Sequence, residues 1–239
     1  MFNINTNFNY KKFMKKLSLL FAFSIAFILC VNAQENRSYY VQQNQNQSSK
    51  DNKEDDDDGR ENFFIGGGIR GDVYINDDAA HHINVWSMPT LDAELFVGKW
   101  INSKIGARVF FEGGALHPFF QKEKQMEHEK YFSARADFML DVTSFRSYSR
   151  DRFYGLVPYV GLGIAHAFDA KNRPDNEKNY TSFMFGGGLM NTFRLSDNFS
   201  AYFNVGLDIV KARFDGWSDK NKRFNGIFAP SIGVVYNFD

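Results

Sequence analysis

The 239-residue sequence predicts an all-β fold, an eight-stranded antiparallel up-and-down transmembrane β-barrel, from three observations. An apolar run near the N-terminus has the form of an export signal. Eight later segments alternate apolar with polar or small residues, which is the period of a β-strand. Aromatic residues make up 17% of a chain that is slightly polar overall. A membrane barrel spreads such residues over its outer wall, whereas a soluble domain would hide them in a large core.

Residues 1–33 are predicted to be a signal peptide that is removed on export. Lysines precede an apolar run, residues 17–31, that is shorter than the roughly twenty residues a helix needs to span a bilayer. The sole cysteine, Cys30, lies in this run, so the mature chain is expected to have no internal disulfide. A lipid-modified Cys30 is the alternative, but Leu29 before it is bulky.

Residues 34–61 are predicted to be a disordered, acidic periplasmic leader, because they are rich in Gln, Asn, Ser and Asp and show no periodicity. Their acidic run, residues 55–58, is interpreted as a solvated spacer, with binding of cations or of a basic partner as the alternative. Basic and acidic residues balance at 28 each, which argues against a nucleic-acid-binding surface.

The remaining residues, 62–239, are predicted to form the barrel from eight segments long enough to cross a bilayer when tilted. In chain order the segments are residues 63–75, 90–100, 105–115, 132–142, 156–168, 183–194, 199–209 and 228–238. The sixth is the weakest because Met190 falls on its polar side, and Pro158 near the start of the fifth fits a strand end. An even number of strands lets the last strand close on the first, so that no backbone edge meets lipid.

One face of each segment is apolar and is expected to contact lipid. In order, these faces include Ile65 and Ile69; Leu91 and Leu95; Val109 and Phe111; Phe132 and Phe138; Leu162 and Ile164; Phe183 and Phe185; Phe203 and Leu207; and Ile232 and Val234. Aromatic residues at segment ends are predicted to form interface girdles. They are Phe63, Trp100, Tyr131, Tyr154, Phe193, Phe199, Tyr236 and Phe238.

The connections differ in length as outer-membrane barrels require. Those after the first, third, fifth and seventh segments are long and polar, and they span residues 76–88, 116–130, 169–180 and 214–225. Those at 102–103 and 196–198 are tight turns. We therefore expect the long loops outside the cell and the turns in the periplasm, although the connection 143–154 is too long for an ideal periplasmic turn.

The opposite faces direct ionisable side chains into one narrow lumen, where a network of ion pairs is predicted. Its members are Arg70, Asp72, Asp92, Glu94, Arg108, Glu112, Arg135, Asp137, Asp141, Arg194 and Asp208. These charges, with Tyr74, Tyr159 and Tyr202, are expected to plug the barrel, with a small pore as the alternative. The acid pairs in this set could instead serve acid/base catalysis, but the nearby arginines favour structural ion pairs.

The histidines suggest a competing enzyme hypothesis at the outer rim. His81 and His82 share the first outer loop with Asp77, Asp78 and Ser87, and His117 and His128 lie in the second. No metal-binding spacing such as His-x-x-x-His occurs, so we interpret these loops as solvated and predict no catalytic residue, cofactor or metal. His166 is expected on the lipid-facing side, near the outer end of its strand.

Several stretches, taken together, resemble the OmpA-like outer-membrane barrels of Bacteroides-type bacteria over about residues 63–238. They are Pro-Thr-Leu-Asp at 89–92, Val-Gly-Lys-Trp at 97–100, Ile-Gly-Ala-Arg at 105–108, Pro-Tyr-Val-Gly-Leu-Gly at 158–163, Gly-Leu-Met-Asn-Thr-Phe-Arg-Leu-Ser at 188–196 and Arg-Phe-Asp-Gly at 213–216. The resemblance implies a barrel that stabilises the envelope and displays loops for adhesion or host contact. Longer members of that family carry a peptidoglycan-binding domain after the barrel, and only the barrel is predicted here.

The prediction for the whole chain is therefore a non-enzymatic structural or interaction protein of the Gram-negative outer membrane. Expected partners are outer-membrane lipid, lipopolysaccharide, host or surface ligands of the loops, and the barrel-assembly machinery. The resemblance implies that this machinery reads an aromatic signal at the end of the last strand, here Tyr236 and Phe238. The alternatives are a lipid A-modifying enzyme acting at the rim and a small pore.

Overall fold

A computed structural model describes residues 63–75, 89–117, 119–120, 125–126, 129–145, 152–168, 179–211, 214 and 224–238. All of them belong to the second of the chain's two units, which spans Asp57–Asp239. The predicted signal peptide and acidic leader lie outside the described residues. Within the described ranges, no helix is long and apolar enough to cross a membrane.

Eight long antiparallel strands close into a barrel, and two short strands form a separate hairpin. The strands are β1 (Phe63–Ile75), β2 (Thr90–Trp100), β3 (Ile105–Leu116), β4 (Phe119–Phe120), β5 (Gln125–Met126), β6 (Glu129–Leu140), β7 (Tyr154–Phe168), β8 (Tyr180–Arg194), β9 (Phe199–Lys211) and β10 (Phe224–Asn237). Around the wall the order is β1-β10-β9-β8-β7-β6-β3-β2. The predicted eight-stranded antiparallel barrel is thereby confirmed.

Closure depends on the pairing of the first strand with the last. β1 pairs with β10 from Phe64↔Asn237 to Ile75↔Gly226, and it pairs with β2 on its other side. Each backbone group of β1 along this register therefore faces a neighbouring strand on one side or the other, which removes the edges that a flat sheet would expose.

The strand ends differ in places from those predicted. β6 begins at Glu129 and β10 at Phe224, several residues before the alternating pattern becomes visible in the sequence. The early residues are held by backbone pairing, since Glu129 pairs with Leu116 of β3 and Phe224 with Lys211 of β9. The β4–β5 hairpin lies in the connection between β3 and β6, which was predicted only to be long and polar.

We call the end of the barrel that carries the short turns the turn end, and the opposite end, with the long connections, the loop end. The turn end holds the start of β1 and the end of β10. It also holds the long connection between β6 and β7, which begins with a 3₁₀ helix, Val142–Phe145. Asp141 caps this helix, because its Oδ1 accepts hydrogen bonds from the backbone N–H groups of Thr143 (3.1 Å) and Ser144 (3.3 Å).

Candidate functional site: the barrel interior

The barrel interior contains a charged layer between two apolar clusters. The charged layer is Arg70, Asp72, Arg108, Glu112, Arg135, Asp137 and Asp208, all buried. The turn-end cluster is Phe64, Phe96, Trp100, Phe110, Met139, Val157, Tyr159, Met190, Tyr202 and Val235. The loop-end cluster is Tyr74, Leu116, Tyr131, Ala165, Ala167, Met184, Val210, Phe214 and Ile227. Strand alternation produces this arrangement, since every second residue of each strand points inward.

Arg70 joins three carboxylates that come from three different strands. Its Nε lies 2.5 Å from Asp72 Oδ1, its Nη2 lies 2.7 Å from Asp208 Oδ2, and its Nη1 contacts Glu112. The arginine side chain is only 2% exposed. Because a guanidinium carries five donors in a fixed plane, Arg70 can donate hydrogen bonds to both Asp72 and Asp208 while it forms an ion pair with Glu112.

Two further arginines extend these contacts into a continuous chain. Arg135 contacts Asp208 through Nη1, and its Nε lies 2.5 Å from Asp137 Oδ1. Asp137 Oδ2 in turn lies 2.8 Å from Arg108 Nε. Asp208 and Asp137 each accept from two arginines, so the charged layer links strands β1, β3, β6 and β9 across the lumen.

Aromatic rings of the turn-end cluster cover the free faces of the guanidinium groups. Arg108 Cζ lies 4.3 Å from the centroid of the Tyr159 ring, and Arg135 Cζ lies 4.8 Å from that of Phe110. Arginine favours such stacking, and a cation–π contact contributes about 0.5–2 kcal/mol depending on how far it is desolvated. The aromatic cluster therefore supports the charged layer directly.

Asp92 and Glu94 point into the same lumen, where they accept hydrogen bonds from backbone and hydroxyl groups. Asp92 Oδ1 accepts from the Ala115 backbone N–H at 2.8 Å, and its Oδ2 accepts from Thr90 Oγ1 at 3.2 Å. Glu94 accepts a hydrogen bond from the Tyr202 hydroxyl. Hydroxyl and backbone donors thus supplement the three arginines.

The structure places two other members of the predicted network outside the lumen. Asp141 follows the end of β6, where it caps the 3₁₀ helix and lies 2.6 Å from Arg152 Nη2. Arg194 ends β8 and pairs with the exposed Asp197 in the following turn at 2.7 Å. Both follow the inward alternation of their strands, but they lie at the strand ends, where a side chain can reach the turn instead of the interior.

The sequence prediction placed three tyrosines in the lumen but assigned other aromatic residues of the interior to the outer surface. Trp100 and Tyr131 were predicted to belong to an interface girdle, yet they are buried inside the barrel. Their position in the alternation contained the signal, because Trp100 is an even number of residues from Asp92 and Tyr131 is an even number from Arg135. Phe63, Phe199 and Phe238 are exposed at the turn end, as a girdle requires.

Glycine makes room for the charged layer at Gly186 of β8. A Cβ at this position would overlap Arg135 Nη1 and Asp208 Oδ1, which are the two atoms of one ion pair. The side chain of any other residue would displace that pair. A residue with a Cβ at position 186 would therefore force the Arg135–Asp208 pair to shift.

A small cavity at the turn end has a volume of about 30 Å³. Phe64, Trp100, Met139 and Met190 form its apolar side, and Thr192, Ser200 and Asn237 add polar groups. This volume is enough for about one water molecule.

The aromatic residues of the predicted assembly signal lie next to the seam between β1 and β10. Tyr236 packs edge-on against Phe199 and against Phe238, with ring centroids 5.0 Å and 4.9 Å apart. The Phe238 backbone N–H donates to the Phe63 carbonyl at 2.8 Å. The hydrogen bond joins the end of the last strand to the start of the first, and the contact with Phe199 joins it to β9.

The residues of the enzyme hypothesis are almost all outside the described part of the chain, namely His81, His82, Asp77, Asp78, Ser87 and His128. His166 lies on the outward face of β7, with its Nδ1 2.8 Å from Thr181 Oγ1. Among the residues that the structure describes, no group of three or more His, Cys, Asp or Glu side chains is arranged to hold a metal ion.

Comparison with known proteins finds two curated relatives. Outer membrane protein 40 of Porphyromonas gingivalis is 33% identical over 104 residues, which are 42% of this chain and 27% of that protein. Outer membrane protein 41 of the same species is 30% identical over 146 residues, which are 60% of this chain and 36% of that protein. The chain thus matches about a third or less of each relative's length. No protein-family model matches.

Among solved structures, neisserial surface protein A has a similar fold. Its TM-score is 0.52 at 9% identity, and the match covers 74% of this chain and 97% of that one. At this identity the likeness concerns the fold alone. The closed barrel and the two curated relatives support an outer-membrane protein.

Proposed function

We propose that the protein is a non-enzymatic structural and interaction component of the outer membrane, whose closed barrel anchors four surface connections. The observation that carries the proposal is the filled interior, where buried ion pairs and two apolar clusters occupy the lumen. An eight-stranded barrel has room for little besides side chains, so this filling supports a lumen that is closed to ions. The function then belongs to the surface and the loops.

The proposal includes export with loss of the signal peptide, insertion by the barrel-assembly machinery, and contact with outer-membrane lipid and lipopolysaccharide. The four long connections face outside, where they support envelope integrity or adhesion to host or surface ligands. The lengths of the connections support this orientation, because outer-membrane barrels keep short turns in the periplasm and long loops outside.

Conductance in planar bilayers tests the closed lumen. We expect the purified barrel to give no steady ion current. The matched control is the double variant Arg70→Ala with Arg135→Ala, which removes two of the three arginines of the charged layer and is expected to give a steady current. Folding is checked in SDS gels, where a folded barrel that has not been heated migrates differently from the same sample after boiling. Steady current through the parent barrel would contradict the closed lumen and favour the small pore.

The non-enzymatic assignment has a separate test. Lipid A from a suitable host that expresses the protein is expected to be unchanged by mass spectrometry. Altered lipid A that disappears with His81→Ala and His82→Ala together would contradict the assignment and favour an enzyme at the rim.

A further inference from the structure

Charge is divided between the two faces of the barrel wall. In the described strands every carboxylate points inward, and these are Asp72, Asp92, Glu94, Glu112, Glu129, Asp137 and Asp208. The Asp, Glu, Lys, Arg and His side chains that point outward in the same strands are all basic, and they are Lys99, Lys130, His166 and Lys211. The outward face of the described strands thus combines apolar and basic groups without an acid.

Three of the four outward basic residues lie at the loop end of neighbouring strands. Lys130 is on β6, His166 on β7 and Lys211 on β9, and Thr181 of β8 lies between the last two. The register joins them, since His166 pairs with Thr181 and the Lys211 backbone N–H donates to Ser182 Oγ at 3.0 Å. We call Lys130, His166, Thr181 and Lys211 the loop-end basic patch.

Exposed aromatic side chains lie beside this patch and toward the middle of the wall. Phe132 pairs with His166 in the register, and Phe183 of β8 is 75% exposed. Phe224 pairs with Lys211 and is also exposed. The surface is therefore amphipathic along the barrel axis, with hydrogen-bonding and cationic groups above an apolar wall.

We propose that the loop-end basic patch binds the phosphorylated head of a glycolipid in the outer leaflet, whose acyl chains lie on the aromatic wall below. Charge complementarity carries the assignment, because phosphate is the anionic group at that depth and no described outward side chain repels it. Lys130 and His166 are diagonal neighbours on adjacent strands, so one phosphate can contact both. Lys211 lies two strands farther around the closed wall and contacts a phosphate of a neighbouring glycolipid. The assignment to the outer leaflet rests on the proposed orientation of the loops.

Binding of lipid A to the full-length folded protein in uncharged detergent tests this site. The titration is followed by native mass spectrometry with bisphosphorylated lipid A as the probe. The double variant Lys130→Gln with Lys211→Gln is expected to bind about ten-fold or more weakly, which corresponds to about 1.4 kcal/mol. The matched control, Lys99→Gln with Lys104→Gln, removes the same charge at the turn end and is expected to bind within about two-fold of the parent.

Four results would overturn the proposal. They are unchanged binding by the loop-end double variant, equal weakening by the turn-end control, equal binding of dephosphorylated lipid A, and equal competition by phosphatidylglycerol. Migration of unheated samples in SDS gels establishes that each variant is folded. The binding result is independent of bilayer conductance, so a conducting barrel would contradict the closed lumen without affecting the lipid site.

Discussion

At the scale of single residues, Arg70 shows how one cation can hold several buried acids. Replacement by methionine keeps much of the volume but leaves Asp72, Glu112 and Asp208 without this guanidinium. We expect Arg70→Met to lower the free energy of unfolding by about 3–5 kcal/mol, as when one partner of a buried pair is removed. Guanidinium unfolding in lipid vesicles, followed by tryptophan fluorescence, measures the change.

The control for this variant is Arg194→Gln. Its partner Asp197 is almost fully exposed, so water replaces the lost contact. The free energy of unfolding should therefore fall by less than about 1 kcal/mol. Equal costs at Arg70 and Arg194 would show that the charged layer does not stabilise the barrel.

The close approach at Gly186 gives a second prediction at this scale. A methyl group there collides with the Arg135–Asp208 pair, so Gly186→Ala is expected to cost about 1–3 kcal/mol in the same assay. Gly71→Ala is the matched control, because the nearest atoms to its Cβ would be 4.0 Å away and the change should stay within about 0.5 kcal/mol. A harmless Gly186→Ala would mean that the ion pair can shift aside.

The predictability of individual contacts depended on position within the strand. Alternation alone identified Arg70, Arg108 and Arg135 as inward-facing, because a side chain in the middle of a strand points to one face of the wall or the other. It could not assign Asp141 or Arg194, whose partners lie in turns. The pairing of Asp208 with two arginines also depends on the stagger of the strands around the wall, which one sequence does not specify.

At the scale of strands, the outward face of β7 tests whether the wall lies in lipid. Leu162 is 69% exposed near the middle of the strand. In a membrane, Leu162→Arg is expected to lower the free energy of unfolding by about 2–4 kcal/mol. Phe63→Arg, at the start of β1, should lower it by about 0–1 kcal/mol. Unfolding in vesicles compares the two variants. Equal costs would contradict a wall that crosses the hydrocarbon region.

The last strand provides a test of the assembly signal. Phe238→Ala removes the ring that packs on Tyr236 and is expected to lower the amount of folded protein in outer-membrane fractions of expressing cells. Phe224→Ala, at the other end of β10 and also exposed, should leave that amount unchanged. Equal losses in the two variants would indicate general destabilisation rather than recognition of the strand end.

The ends of a strand could be predicted where the alternation of inward and outward residues continued to the end of the strand. β1 and β2 coincide with the predicted residues, since inward and outward positions could be assigned near both ends of each segment. β6 and β10 begin before the predicted segments, because backbone pairing starts several residues before the first side chain that shows the alternation. The capped 3₁₀ helix was also not predicted, although the unusual length of its connection was noted.

At the scale of the whole molecule, burial of the ion pairs predicts little dependence on salt. Raising sodium chloride from about 0.05 M to about 1 M should change the unfolding midpoint only slightly, because ions screen exposed pairs far more than buried ones. Thermal unfolding in uncharged detergent at both concentrations measures this. A large loss of stability at high salt would show that water and ions enter the charged layer.

The hydrogen bond from Phe238 to Phe63 also bears on how the chain can be rearranged. The two ends of the barrel lie side by side at the turn end, so a short peptide can join them while a new break is made in the connection between β6 and β7. Such a circular permutant retains every strand pair of the wall, because the barrel depends on the cyclic order of its strands.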